Sequence, residues 1–210
     1  MAIISNGTTI ADAGSFASGT VNAVQVLIKT LTASSSSTLS FVDGASSVVL
    51  DSTYPIYVFK FINIHPANDG SGVNFQFQGS VNGGSSYGVS ITSTAFLSQH
   101  NEDDDATGVD YRGDHDLANQ SDVYQELANF MGNDADQSCS GHLTLFNPSS
   151  TTFVKHWIAN TNNYTGSNYS VDFKYAGYFN TTSAINAIQF KIASGNMDSG
   201  LIKLYGIKDS

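Results

Sequence analysis

Cysteine, basic side chains and long apolar runs are the three things this chain has least of. Its 210 residues include one cysteine, Cys139, which excludes an intrachain disulfide and a multi-cysteine zinc site. Lys and Arg number eight against eighteen Asp and Glu, for a formal net charge of −10. Such a surface repels phosphate, so nucleic acid is not an expected partner, and an anionic membrane surface is disfavoured for the same reason. No stretch reaches the ~18 apolar residues of a membrane span. The opening MAIISNGTTIADAG has neither the basic start nor the apolar core of a signal peptide, and the expectation is a protein made and folded in a cytoplasm. Asn-x-Ser/Thr triplets at Asn6, Asn163, Asn168 and Asn180 then read as a by-product of composition. Charged residues make up only 12% and apolar residues 40%, so the surface is built from Ser, Thr, Asn, Gln and Gly. That is the composition of a folded domain, not of a disordered chain.

What the chain does have is alternation. Ile188, Phe190 and Ile192 alternate with Gln189 and Lys191, and after a break at Ser194, Gly195 and Asn196, Ile202 and Leu204 alternate with Lys203 and Tyr205. A period of two places each apolar set on one face of a strand, and the short turn-rich break predicts that the two strands pair as a hairpin. Similar patterns occur at residues 24–32, 38–42, 54–64, 73–77, 87–94, 142–146, 153–159 and 169–178. The tetraserine at 34–37 reads as a turn, and Asn82-Gly83-Gly84 as a hairpin turn. Residues 54–64 are apolar on both faces, with Ile56, Val58, Ile62 and Ile64 on one and Tyr57, Phe59 and Phe61 on the other. This predicts a strand covered on both sides, by a second layer or a neighbouring subunit. Residues 122–131 form the one helix candidate: Asp122 at the cap, Gln125 in the capping-box position, then Tyr124, Leu127, Ala128 and Met131 at helical spacing before Gly132. The expected fold is all-β, an antiparallel β-sandwich or jelly roll with one short helix. Residues 1–22 are expected to form an extended arm with at most one short strand, ordered by docking on a neighbour, and residues 23–210 a single domain.

Eleven of the acids lie between Glu102 and Asp136, with Arg112 as the one basic residue there. Within this stretch, Asp103, Asp105 and Thr107 fall at positions one, three and five of a calcium-loop spacing, Gly108 at six and Asp114 at twelve. Asp in place of Glu at twelve and the lack of flanking helices depart from that pattern. The competing and favoured reading is a solvent-facing acidic loop. His100 and His115 flank it and add a transition-metal alternative, whereas His142 and His156 fall in expected strands. Gly84-Ser85-Ser86-Tyr87-Gly88 matches the G-x-S-x-G of hydrolases but lacks the strand-to-helix context that the motif needs. Asp103, Asp105, Asp110 and Glu126 offer carboxylates without singling out an acid–base pair. Tyr164, Tyr169, Tyr175 and Tyr178 with Trp157 are sugar-stacking candidates, although aromatics in strands are expected first in a core or subunit interface. No catalytic residues and no cofactor beyond a candidate calcium follow.

Three stretches, AIISNGTTIADAG at the start, LTLFNPSSTTFVKHWI at residues 143–158 and NTTSAINAIQFKIASGNMDSGLIKLYGI at 180–207, resemble small virion structural proteins of marine tailed bacteriophages, including those infecting cyanobacteria. The resemblance spans most of the chain and is weakest over residues 99–116. It implies a non-enzymatic β-sandwich component of a virion, partnered with copies of itself and with major capsid or tail proteins, and it maps no catalytic or metal residues onto this sequence. A capsid decoration or accessory protein is the expected role. A tail-associated module binding a host surface receptor or glycan is the alternative, and a carbohydrate-active enzyme the least favoured.

Overall fold

The structure is a computed structural model that describes residues 24–208 throughout and, before them, the backbone of three short strands, β1 (Ile3–Ser5), β2 (Thr8–Asp12) and β3 (Ser15–Phe16). These three pair antiparallel in a sheet of their own, where one strand at most was expected. Ile3, Ile4, Thr8, Thr9 and Ile10 supply the β-branched content that favours it. Docking of the arm on a neighbour concerns side chains outside the described residues.

Thirteen strands follow: β4 (Gln25–Ser36), β5 (Leu39–Val42), β6 (Ile56–Pro66), β7 (Phe75–Ser80), β8 (Ile91–Asn101), β9 (Thr107–Tyr111), β10 (Ala118–Gln120), β11 (Gln125–Ala128), β12 (Cys139–Phe146), β13 (Lys155–Tyr164), β14 (Tyr169–Phe179), β15 (Ala187–Ile192) and β16 (Met197–Ile207). All pairings among them are antiparallel, and the described residues contain no helix, hence none long and apolar enough to cross a membrane. A nine-stranded sheet runs β10-β8-β14-β13-β12-β6-β16-β4 with β9 alongside β8, and a four-stranded sheet runs β11-β7-β15-β5. Eight consecutive pairs, β4/β5, β5/β6, β6/β7, β7/β8, β10/β11, β11/β12, β14/β15 and β15/β16, split between the two sheets.

Alternation explains how the layers meet. Phe190 on β15 lies 5.2–6.3 Å, centroid to centroid, from Phe41, Phe59, Phe61, Phe75 and Phe77, which come from both sheets. Such offset and edge-to-face rings pack two inner faces more tightly than aliphatic chains alone. The larger sheet extends past the smaller at its β13, β14 and β8 end. There the segment around β11 lies over the inner face, tied down by the Thr161 hydroxyl donating to the Leu127 carbonyl and by Asn163 Nδ2 donating to the Asn129 carbonyl at 2.8 Å.

Four sequence expectations need correction. Residues 122–131 are not a helix: Gln125–Ala128 form β11, which hydrogen-bonds along the edge of β7. Gln125 and Leu127 are fully buried while Tyr124 and Glu126 are half-buried, a strand alternation. Asp122 has φ +60, outside the extended backbone of an N-cap. Tertiary pairing has overridden local propensity here. The terminal hairpin is also absent, because β15 pairs β5 and β7 whereas β16 pairs β4 and β6. Residues 193–196 cross between the sheets. Asn82-Gly83-Gly84 likewise begins a crossing, from β7 in the small sheet to β8 in the large one. The tetraserine is largely strand, since β4 runs to Ser36.

The two-faced strand β6 lies centrally, between β12 and β16. Tyr57, Phe59 and Phe61 face the core, while Ile56 and Val58 are half-buried and Ile62 is 36% exposed on the outside. Asn63, at φ +50, sits where the register slips, and the slip turns Ile64 inward. No second layer covers the outer face among the described residues.

Candidate functional site

The acidic segment divides into two unconnected parts. Asp103 and Asp104 lie in the tight turn between β8 and β9, where Asn101 Nδ2 donates to Asp105 Oδ1 at 2.6 Å and Asn101 Oδ1 accepts from the Asp105 and Ala106 amides. His100 Nε2 stands 3.0 Å from Asp104 Oδ1. Asp103, Asp105 and Thr107 are exposed. Strand β9, which begins at Thr107 and runs about 16 Å of extended chain, separates Asp103 and Asp105 from Asp114. Asp114 instead accepts two bonds from Arg112, Nε to Oδ1 at 2.9 Å and Nη2 to Oδ2 at 2.7 Å. The guanidinium holds the Asp114 carboxyl well below the usual carboxylate range. The four calcium candidates therefore do not converge in this structure, because the loop spacing is spent on a β-hairpin. Among the described residues no group of three or more His, Cys, Asp or Glu is placed to hold a metal ion.

Asp114 and Arg112 open onto a buried polar network. His115 Nδ1 lies 2.5 Å from Glu126 Oε2, and its Nε2 lies 2.9 Å from Arg112 Nη2 and 2.8 Å from Asn129 Nδ2. Asp114 Oδ2 also stands 3.2 Å from Nε2, so the ring is flanked by a carboxylate on each side. Glu126 Oε1 accepts from Asn74 Nδ2 at 2.6 Å. Both imidazole nitrogens and both carboxylate oxygens are thus engaged within the network. Tyr175 is buried nearby with its hydroxyl unpartnered, and desolvation raises its pKa above that of a free tyrosine. Ser86 of the G-x-S-x-G stretch accepts from Asn82 Nδ2 at 2.8 Å in a loop without histidine, far from any strand-to-helix turn.

Beside the network, under the overhang of the larger sheet, is a cavity of about 200 Å³. Leu97 and Gln99 from β8 and Tyr169 and Val171 from β14 form one wall; Arg112 and the Asn129–Phe130 stretch form the other. The rim is braced. Met131 bridges to Thr165, the Gly166 amide donates to the Phe130 carbonyl at 3.4 Å, and the Thr165 hydroxyl accepts from the Ser167 and Tyr169 amides. Asn129, almost fully buried, lines the cavity with its carboxamide, whose Oδ1 accepts no hydrogen bond from the described residues. Arg112 Nη1 is likewise without a partner among them. Of the aromatic candidates, Trp157 and Tyr175 are core, Tyr164 donates to Glu102 at 3.0 Å, Tyr178 lies on the outer sheet face, and Tyr169 alone reaches this cavity.

Sequence reasoning missed Gln99, Asn129 and Phe130, the last two hidden by the mistaken helix. Arg112 carried the one available signal, as the lone cation among eleven acids. No family model matches the chain, nor does any curated protein or solved structure.

Proposed function

We propose that the chain is a non-enzymatic structural protein of a tailed-bacteriophage particle, a β-sandwich of jelly-roll topology that coats or stabilises the capsid as a decoration or accessory protein. The observation that carries the reading is the strand order. In the larger sheet β4-β16-β6-β12 are neighbours, in the smaller β5-β15-β7-β11, and eight consecutive strand pairs cross between the two sheets. That order supports a reading as two Greek keys wrapped into a jelly roll, with β8–β10 and β13–β14 as insertions widening one sheet. Jelly rolls recur in viral capsid and lectin domains. Fold analogy alone does not assign function, and the outer face of the nine-stranded sheet adds a second support. Leu27, Phe96 and Ile158 are exposed there, with Ile56, Val58 and Tyr205 half-buried among them. Lys203, Lys60, His142, Asn160 and Lys174 stand opposite one another in register across the same sheet. In a chain of net charge −10, this apolar and basic face fits the acid-rich surface of a further copy, a head-to-tail contact of the kind that closes rings or tiles a lattice.

The test is position. Antibody raised against the chain and applied to purified virions is expected to decorate the shell at regular spacing. Absence of the chain from purified particles overturns the proposal. Label confined to the tail moves the protein to the second reading, an attachment module, which the cavity beside Arg112 and Asn129 favours.

A further inference from the structure

We propose that the cavity under the sheet overhang binds one neutral hexopyranose unit of a glycan. The inference goes beyond the particle reading and stands apart from it, since labelling reports where the chain sits and sugar titration reports what the cavity takes.

The chemistry of the walls selects the ligand. Leu97 and Val171 make an apolar floor, and the Phe130 and Tyr169 rings flank it, which suits the C–H faces of a pyranose. The remaining lining residues bring polar groups of both kinds: the Gln99 and Asn129 carboxamides, the Arg112 guanidinium, whose Nη1 has no partner among the described residues, and the exposed Ser167 hydroxyl. A hydroxyl both donates and accepts, so a ring carrying several of them satisfies such a mixed set. An anionic ligand does not. The cation of Arg112 is matched by its two bonds to Asp114, leaving hydrogen-bond donors without net charge, and seven acids between Glu102 and Asp116 repel an anion. At about 200 Å³ the cavity falls below the roughly 300–1,000 Å³ of sites for drug-sized ligands and holds a single ring.

Phe130 is the second, independent sign. The residue is 46% exposed where it lines the cavity, and its backbone sits at φ +50, a conformation that bulky side chains rarely adopt. Strain of this kind persists only where surrounding contacts impose it. Here the Phe130 amide donates to Asn74 Oδ1 at 3.3 Å and its carbonyl accepts from Gly166. An apolar ring held in a strained pose toward solvent contributes little to the core and is placed to stack on a ligand.

The experiment titrates glucose, galactose, mannose, N-acetylglucosamine and, as the charged comparison, glucuronate into the full chain. Saturation-transfer NMR detects the bound sugar, and side-chain amide shifts of Gln99 and Asn129 report the place. At least one neutral sugar is expected to bind saturably. Phe130→Ala and Gln99→Ala are each expected to weaken it tenfold or more while unfolding at the wild-type urea midpoint, and Ile158→Ser on the opposite face is expected to leave it unchanged. Lack of saturable binding by all four neutral sugars overturns the proposal. So does tighter binding of glucuronate than of any neutral sugar, or binding that survives both cavity substitutions.

Discussion

Trp157 and Ile158 are neighbours on β13, yet Trp157 is 1% exposed and Ile158 is 52% exposed. The same contrast runs along the whole nine-stranded sheet. Its inner face is mainly apolar, with rings that interlock with those of the smaller sheet and a few buried polar side chains such as Thr161 and Asn163, and its outer face mixes isolated apolar side chains with lysines, histidines and amides. One set of strands thus serves two purposes, since the pleat sends successive side chains to opposite sides. The inner face decides whether the chain folds. The outer face is free to decide what it meets.

The contrast makes its strongest claim at Trp157. Trp157→Ala empties a site ringed by Phe77 and capped by Gly177, and is expected to cost about 3–5 kcal/mol in urea-unfolding measurements. A loss below about 1 kcal/mol would mean that the inner layer is far looser than its packing implies. Gly177 tests the same layer from the next strand. A methyl group there would stand 2.5 Å from the Thr92 carbonyl oxygen and 2.6 Å from Trp157 Cζ2. Gly177→Ala is therefore expected to destabilise by about 1–3 kcal/mol through overpacking.

On the outer face the expectation reverses. Ile158→Asp changes folding stability by about 0.5 kcal/mol or less, and with Lys60→Glu it is expected to reduce self-association, read by light scattering across a concentration series. Association that raised salt leaves untouched would argue against the basic row as its source.

The smallest effect concerns pH. The folded-state pKa of Asp114 is lowered by Arg112, so the pair contributes stability that is present above the unfolded carboxylate value of 3.8 and is lost as pH falls below it toward the folded value. The Asp114 side chain is 62% exposed and its pairing is screened by solvent, so the contribution is below about 1 kcal/mol. Asp114→Asn is expected to flatten the acid limb of the stability curve by that amount, with neutral-pH stability reduced by no more. Cys139 gives a qualitative companion test. Burial pushes its thiol up to about 12, and native protein is expected to resist thiol reagents that label the urea-unfolded chain within minutes.

What the sequence by itself determined is the place of the longer strands and the facing of most of their side chains, whereas the short strands β9, β10 and β11 went unread. Phe190, Ile192, Ile202 and Leu204 turned inward as their period of two required, because alternation is a property of one strand's own geometry. Pairing is not such a property. Backbone hydrogen bonds are nearly blind to side-chain identity, so the chain between β15 and β16 reads as a hairpin turn although it carries the backbone from one sheet to the other. The same blindness hid β11, which lies in a stretch, residues 122–131, that satisfies helical spacing and alternation at once. The free edge of β7 and the buried partners of Gln125, Ser93 Oγ and the His115 carbonyl, resolved that choice. The cavity belongs wholly to tertiary structure. Gln99, Arg112, Asn129 and Tyr169 come from four separated segments, and only the overhang of a wide sheet past a narrow one brings their polar atoms to one place.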